Sequence, residues 1–386
     1  MSSSHTSLAT TCLAAGLFLS GCQFGSTPET PAQPFFFRAL KLEQRDRLGQ
    51  PSWALQSPEA RYDLGRRVAQ ARDLQGQLFN RGQLRYRLNA TAGTVLNDGE
   101  IVQLEGQIKL EAYGNNPFTI RARRGRWFPN RNLLELDYRP IATQRNLQLT
   151  ANRLRFLIDQ DKLELRGRPE LQRSGENALK LEVRSAEWFT AKGDLMALGP
   201  VVGVRSLANK KEQRLTSPSL TGNSIAQKLL LAAPVRLVDT EKGAVLNALE
   251  TTVDVGQELI VSALPFNGTM KQARISGGGF MLHSRTQTAI VTSACFLQQP
   301  TDSIGANRCF WNWQTNQVSA RGDVTLKRQA NQQLTRAKRI DGRLGDDGLV
   351  VFTSPGGRVN TQLRLPAKSK SPAPSPARQQ RSPIEL

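Results

Sequence analysis

The chain has 386 residues and a net charge of +20, from 52 Lys and Arg against 32 Asp and Glu. The four basic and one acidic residues after Leu365 account for little of this, since the rest of the chain keeps +17. Such a balance suits an anionic partner (glycolipid, membrane surface or nucleic acid) or simply reflects strands whose polar side faces water. Two histidines and four cysteines argue against a histidine-based catalytic centre or a metal site.

Residues 8–21, LATTCLAAGLFLSG, are uncharged and run into Cys22. The run falls short of the ~20 apolar residues that span a bilayer, which predicts a cleaved signal sequence over residues 1–21. Leu19, Ser20, Gly21 and Cys22 resemble the bacterial lipoprotein box. That resemblance implies a diacylglycerol on Cys22 and a Pro-rich, flexible tether over 22–34. The seven residues before the run carry His5 but no Lys or Arg, a departure from the usual pattern. An exported chain disfavours nucleic acid. Cys295 and Cys309 then remain as a possible disulfide, with two free thiols the alternative. Two cysteines and one histidine do not make a zinc site. No metal or other cofactor is expected.

Residues 57–78 fit a strand, turn and strand better than a helix. A repeat follows. The segments starting at Tyr86, Phe118, Leu147 and Leu179 share one pattern, in which an apolar residue is followed by a small one, a polar turn and a run alternating around Leu. The small anchors are Ser57, Ala90, Ala122, Ala151, Ser185 and Ser217, spaced by 33, 32, 29, 34 and 32 residues. Such a period predicts stacked β-hairpin units. Turns are expected at Asn97–Gly99, Asn130–Asn132, Asp159–Asp161 and Lys192–Asp194, where Asn, Asp and Gly tolerate positive φ. Alternation places Leu88, Leu104, Ile108, Leu110, Ile120, Leu134, Leu136, Leu149, Leu163 and Leu165 on inner faces, with Glu105, Asp137 and Glu164 outward. Tyr62, Trp127, Phe156 and Trp188 read as core groups between layers. The pattern weakens over 232–300, a possible division into two lobes, with Gly277–Gly279 as a bulge or sharp corner. It returns from Trp313 to Phe352. After Leu365, residues 366–386 form a basic Pro/Ser tail expected to be disordered.

Three segments carry a family resemblance: WALQSPEARYDL from Trp53, the strand pairs from Tyr86 and Gln148, and WNWQTNQVSARGDVTLKRQANQQLTRAKRIDG from Trp311. Over 35–365 the chain resembles the OstA-like lipopolysaccharide-transport proteins, as a long version of LptC. The resemblance implies an all-β, elongated, twisted, open β-jellyroll with a groove for acyl chains, in which the ten inner residues above are the candidate lipid-binding set. It implies lipopolysaccharide as ligand, transfer from inner-membrane ABC transporter permeases to a periplasmic bridge protein by β-strand addition, and a place on the periplasmic side of the inner membrane. Two departures stand out: typical LptC is about half as long and is held by a transmembrane helix. Gln23 follows the modified cysteine, so outer-membrane anchoring stays open.

No nucleophile elbow, zinc-protease, P-loop or dinucleotide fingerprint occurs. The lone mature histidine, His283, has no paired acid in sequence. No catalytic residue is assigned. A binding module needs only a dry apolar trough, because burying a methylene contributes about 0.8 kcal/mol. The alternatives are a β-solenoid scaffold or polysaccharide-binding envelope lipoprotein with a filled interior, and a β-helix carbohydrate-active enzyme.

Overall fold

The computed structural model describes residues 35–174, 179–206, 212–329, 332–343, 350–353 and 358–362. The expected signal sequence (1–21), Cys22 with the expected tether (22–34) and the expected tail (366–386) lie outside the described residues. The described chain is all-β apart from three short 3-10 turns, and its strands join one continuous hydrogen-bonded array.

The array folds back into two facing layers. Strands Gln83–Leu96 and Ile101–Ala112 belong to both, each bent where the register shifts, at Asn89/Ala92 and Glu105/Ile108. Beyond Thr119–Phe128 the layers separate into short strands: Leu133–Asp137 extends one and Ile141–Gln144 the other. Layer one continues through Arg153–Leu157, Lys162–Arg166 and Ser185–Phe189 to the first half of Asp194–Ser206. Layer two continues through Leu147–Thr150, Glu170–Arg173 and Leu179–Glu182 to the second half of the same strand. Glu212–Asn223 also crosses both. From there layer one runs by Lys228–Leu231, Thr251–Asp254, Leu259–Ser262, Gly279–His283 and Thr288–Ser293 to Arg308–Asn312. Layer two runs by Val235–Asp239, Ala244–Ala248, Phe266–Met270, Ala273–Gly277 and Cys295–Gln298 to Asp302–Ala306. Gln317–Arg328 and Gln333–Arg343 reunite them. This is an elongated β-jellyroll.

One long side is a seam, where the chain turns the corner between layers. The other is a mouth, lined by hairpin turns. The anchors Ser57, Ala90, Ala122, Ala151 and Ser217 sit at corners, and Ser185 begins the strand just after one. The layers converge there, so only small side chains fit inside. Ser57 Oγ lies 2.7 Å from Glu59 O and 2.5 Å from Arg72 O. Ser217 Oγ repeats the arrangement 2.8 Å from both Ser219 O and Ala232 O. Each hydroxyl shares its single hydrogen between two carbonyls at the bend. Gly277–Gly279 is another corner, linking Ala273–Gly277 in layer two to Gly279–His283 in layer one.

The expected turns lie at the mouth. Asn97, Asp98, Asn132, Asp161 and Gly193 all have positive φ, as tight reversals require. Residues 51–80 form strands Pro51–Ser57, Glu59–Asp63 and Val68–Asn80, without helix. The ladder also continues through 232–300, where the apolar pattern weakens because Thr251 and Ser262 occupy buried positions. Cys295 in layer two and Cys309 in layer one form a disulfide with a Cα separation of 5.9 Å, joining the layers beside the seam.

Candidate functional site

Register pairing lines the inner face of each layer with a continuous row. In layer one the row runs Trp127, Leu134, Phe156, Leu163, Trp188, Leu195, Gly222, Leu229, Val253, Ile260, Leu282, Ala289, Trp311. In layer two it runs Leu88, Leu110, Ile120, Ala142, Leu149, Leu171, Leu181, Gly203, Leu215, Leu237, Leu246, Gly268, Ile275, Leu297, Ile304. All ten residues of the sequence-based lipid-binding set point inward and share one core cluster, each with 2 % or less of its surface exposed. In this conformation they are packed against one another.

Both rows change character at the same place. Up to Leu195 and Gly203 every member is buried; from Glu212–Asn223 onward, the apolar side chains of both rows are half-buried up to Ile304 and Trp311. The layers are sealed across their width in the first half; in the second they stay packed beside the seam, where Phe266 of layer two meets Phe280 of layer one at 5.0 Å, and part only toward the mouth, leaving a trough. Eight neighbouring strands of layer one, from Glu212–Asn223 to Gln317–Arg328, give it a length of roughly 34 Å at about 4.8 Å per strand.

On the mouth side, aromatic filling explains the difference; in the second half the one cross-layer ring pair among the described residues, Phe266 with Phe280, lies beside the seam. In the sealed half, rings from layer two meet rings from layer one across the gap: Trp53 with Trp127 at 5.5 Å, Tyr86 with Phe156 at 5.1 Å, and Phe118 with Trp188 at 5.6 Å. Each aromatic side chain buries a large apolar area and reaches the facing sheet. Between Trp188 and Trp311 the layer-one row holds only aliphatic residues and one glycine, too short to close the space.

Polar contacts hold the mouth. Arg85 pairs with Asp161 at 3.5 Å, and Tyr86 Oη donates to the same carboxylate. Burial, and then the hydrogen bond to Asp161, push the Tyr86 phenol above its ordinary pKa. Asn116 Nδ2 donates to Ala191 O at 3.0 Å, and Ser224 Oγ donates to Gln144 Oε1 at 3.1 Å while accepting from Trp188 Nε1 at 3.2 Å. Arg173 reaches Val255 O at 3.0 Å. The last described latch spans the trough itself, with Lys242 Nζ 4.4 Å from the centre of the Trp313 ring. Burial lowers the pKa of that ammonium, against the opposing charges of Asp239 and Glu241. An apolar floor under a polar, partly charged rim is the chemistry of an amphiphile site.

The sequence pattern identified inward positions but missed the trough, since Leu229 and Leu246 carry the same alternation as Leu134 and Leu149. Two hollows on the molecule lie outside the interior: about 290 Å³ between Lys41, Gln44 and Trp53, and about 460 Å³ beside Tyr113 and Arg145. The first is bordered by Trp53 and Leu55 together with Gln, Lys and Glu side chains, and the second by Ala112 and Phe118. His283 Nδ1 accepts from Thr286 N at 3.2 Å, capping a turn. Among the described residues no cluster of His, Cys, Asp or Glu has metal-binding geometry, and no helix is long and apolar enough to cross a membrane.

Residues 13–168 match the family described as lipopolysaccharide-assembly, LptC-related. Over this span the chain is LptC-like. No curated protein matches it. The matched span ends within the sealed half of the jellyroll, so the trough of this LptC-like chain lies wholly beyond it. The match is to a lipopolysaccharide-assembly family and extends over residues 13–168 of the 386.

Proposed function

We propose that the chain is a non-enzymatic carrier that holds the acyl chains of lipopolysaccharide in the trough between residues 212 and 326, with the headgroup at the mouth. The change of both inner rows from buried to half-buried carries this reading. The ten sealed residues from Leu88 to Leu165 would extend the path only when the layers part. Lipid would arrive from an inner-membrane ABC transporter and leave to a bridge protein. Two classes of side chain at the trough fit the two ends of such a ligand. Aliphatic walls offer about 0.8 kcal/mol per methylene buried, and at the mouth Arg173, Lys242 and Arg285 would exchange their present partners, Val255 O, the Trp313 ring and Glu258, for phosphate.

A photo-crosslinker at Leu229, Leu246 or Leu282 is expected to capture lipopolysaccharide. Their outward neighbours Leu230, Val245 and Met281 are apolar too, so capture there tests orientation and not hydrophobicity. At Leu134 and Leu163 capture is expected to be several-fold weaker than in the trough. Equal capture at both parities would leave the scaffold reading in place.

For anchoring, the lipoprotein-box resemblance of residues 19–22 supports lipidation at Cys22. Membrane-bound protein should then require detergent for extraction, whereas Cys22→Ala should come off in salt alone. Incorporation of labelled palmitate into the Ala variant would refute the assignment.

A further inference from the structure

The seam faces away from the mouth, so its side chains cannot contact the headgroup of a lipid held in the trough. Yet it carries a run of exposed arginines. Five successive corners, at residues 122–124, 138–140, 151–153, 166–169 and 183–184, each expose at least one arginine: Arg123, Arg139, Arg153, Arg166 with Arg168, and Arg184. At about 4.8 Å per strand this is a stripe of roughly 19 Å. Asp137 and Glu170 neutralise two of them, pairing with Arg153 at 3.4 Å and Arg139 at 3.6 Å, while Glu182 is taken by Lys180 at 2.9 Å. Arg123, Arg166, Arg168 and Arg184 form no ion pair among the described residues.

Within the stripe stands Tyr138, 67 % exposed at φ +62°, with the guanidinium of Arg124 5.7 Å from its ring centre. The next five corners, at 199–200, 217–219, 232–234, 249–250 and 263–265, contain no cation and one acid, Glu250. Flanking or within them, Leu198, Leu249 and Leu264 are exposed, Leu198 at 54 %. Cations, an interfacial aromatic and exposed leucines along one edge match a surface made of anionic headgroups over hydrocarbon. A soluble polyanion would use the arginines and leave Tyr138 and Leu198 without a partner.

We propose that the seam from Arg123 to Leu198 docks on an anionic phospholipid membrane, so that the jellyroll lies with its mouth turned away from the bilayer. Arginines near an anionic leaflet are attracted within a Debye length, about 8 Å at physiological salt. Tyrosine favours the headgroup level. This inference does not depend on the trough, and it is tested without lipopolysaccharide.

The mature chain, residues 22–386 with Cys22→Ala, which has neither the apolar leader nor a covalent anchor, is sedimented with vesicles of phosphatidylethanolamine and phosphatidylglycerol, or of phosphatidylcholine alone. Binding to the anionic vesicles only, lost in 1 M salt, is expected. Arg123→Gln, Arg166→Gln, Arg168→Gln and Arg184→Gln together should weaken it by at least about tenfold. The same four positions changed to Lys should retain it, which separates charge from folding. Lys271→Gln, Arg274→Gln, Lys327→Gln and Arg336→Gln remove equal charge from layer two and should have little effect. Tyr138→Ser with Leu198→Ser should weaken vesicle binding while leaving any binding of soluble polyphosphate unchanged. Equal losses from both charge sets would overturn the proposal, as would vesicle binding indifferent to Tyr138→Ser and Leu198→Ser.

Discussion

Trp188→Ala is expected to destabilise the chain by about 3–5 kcal/mol, the range for removing a large aromatic from a packed core. Trp188 has no exposed surface. Its ring meets Phe118 across the gap at 5.6 Å, and its Nε1 donates to Ser224 Oγ at 3.2 Å. Truncation leaves a cavity between the layers and removes that hydrogen bond, and the surrounding strands are tied on both sides and cannot collapse into the space. Leu229→Ala, two strands beyond Leu195 in the same row, should cost less than about 2 kcal/mol, because its site is already half-open and no sealed cavity forms. Urea denaturation of the full-length variants measures the contrast. Loss of equal size at both positions would mean that the trough is as tightly packed as the sealed half.

The second large effect concerns the ends of the array. Among the described residues, strands Val350–Thr353 and Asn360–Gln362 pair on one side with Gln333–Arg343, forming the last described strand of layer one and of layer two respectively. At the other end, among the described residues, Phe35–Phe37 pairs only with Glu59–Asp63, and Leu40–Arg45 only with Pro51–Ser57. Phe35, Phe36 and Phe37 remain exposed there, with Arg61 5.6 Å from the Phe36 ring and Tyr62 6.3 Å from that of Phe37. Open edges present unpaired N–H and C=O groups that a further strand can take up. If the bridge protein adds at the C-terminal edge, Val350→Pro and Val351→Pro with Thr361→Pro should abolish its association. Adjacent N–H groups of a strand point to opposite sides, so the double change at 350 and 351 must remove one outward donor. Lipopolysaccharide capture at Leu229 should persist, because that site lies many strands away. Bridge binding that survives in a folded triple variant would move the docking site elsewhere.

The local elements follow from sequence by short-range chemistry. Alternation around Leu104, Ile108 and Leu110 specifies which side of a strand is dry. Asn97, Asp98, Asn132, Asp161 and Gly193 mark reversals because those residue types accept positive φ. The repeat of small anchors predicted stacked strand pairs, and the matched family is an assembly family of the cell envelope. What the anchors do was not readable from their spacing. A small residue at Ser57 or Ser217 looks like any gap in a strand until the two layers are seen to converge there, with a hydroxyl shared between a carbonyl two residues on and another fifteen residues on.

The division into a sealed half and a trough is tertiary throughout. Leu163 and Leu229 have the same side chain, the same parity and the same register row, yet one is fully buried and the other half-exposed. The difference lies across the gap, in rings contributed from far along the chain: Tyr86 reaches Phe156, Phe118 reaches Trp188, and no ring answers Leu229 in this way. The seam arginines illustrate the same limit. Arg123, Arg139, Arg153, Arg166, Arg168 and Arg184 are scattered over some sixty residues of sequence. Each corner advances the chain by only one strand, and that small step stacks them into one stripe. Sequence determined which residues turn inward, where the chain reverses and how often the unit repeats, because those depend on neighbours a few positions away. Tertiary structure decided which inward faces meet and which stand apart, because that depends on whether a side chain from the opposite layer is large enough to fill the space between them.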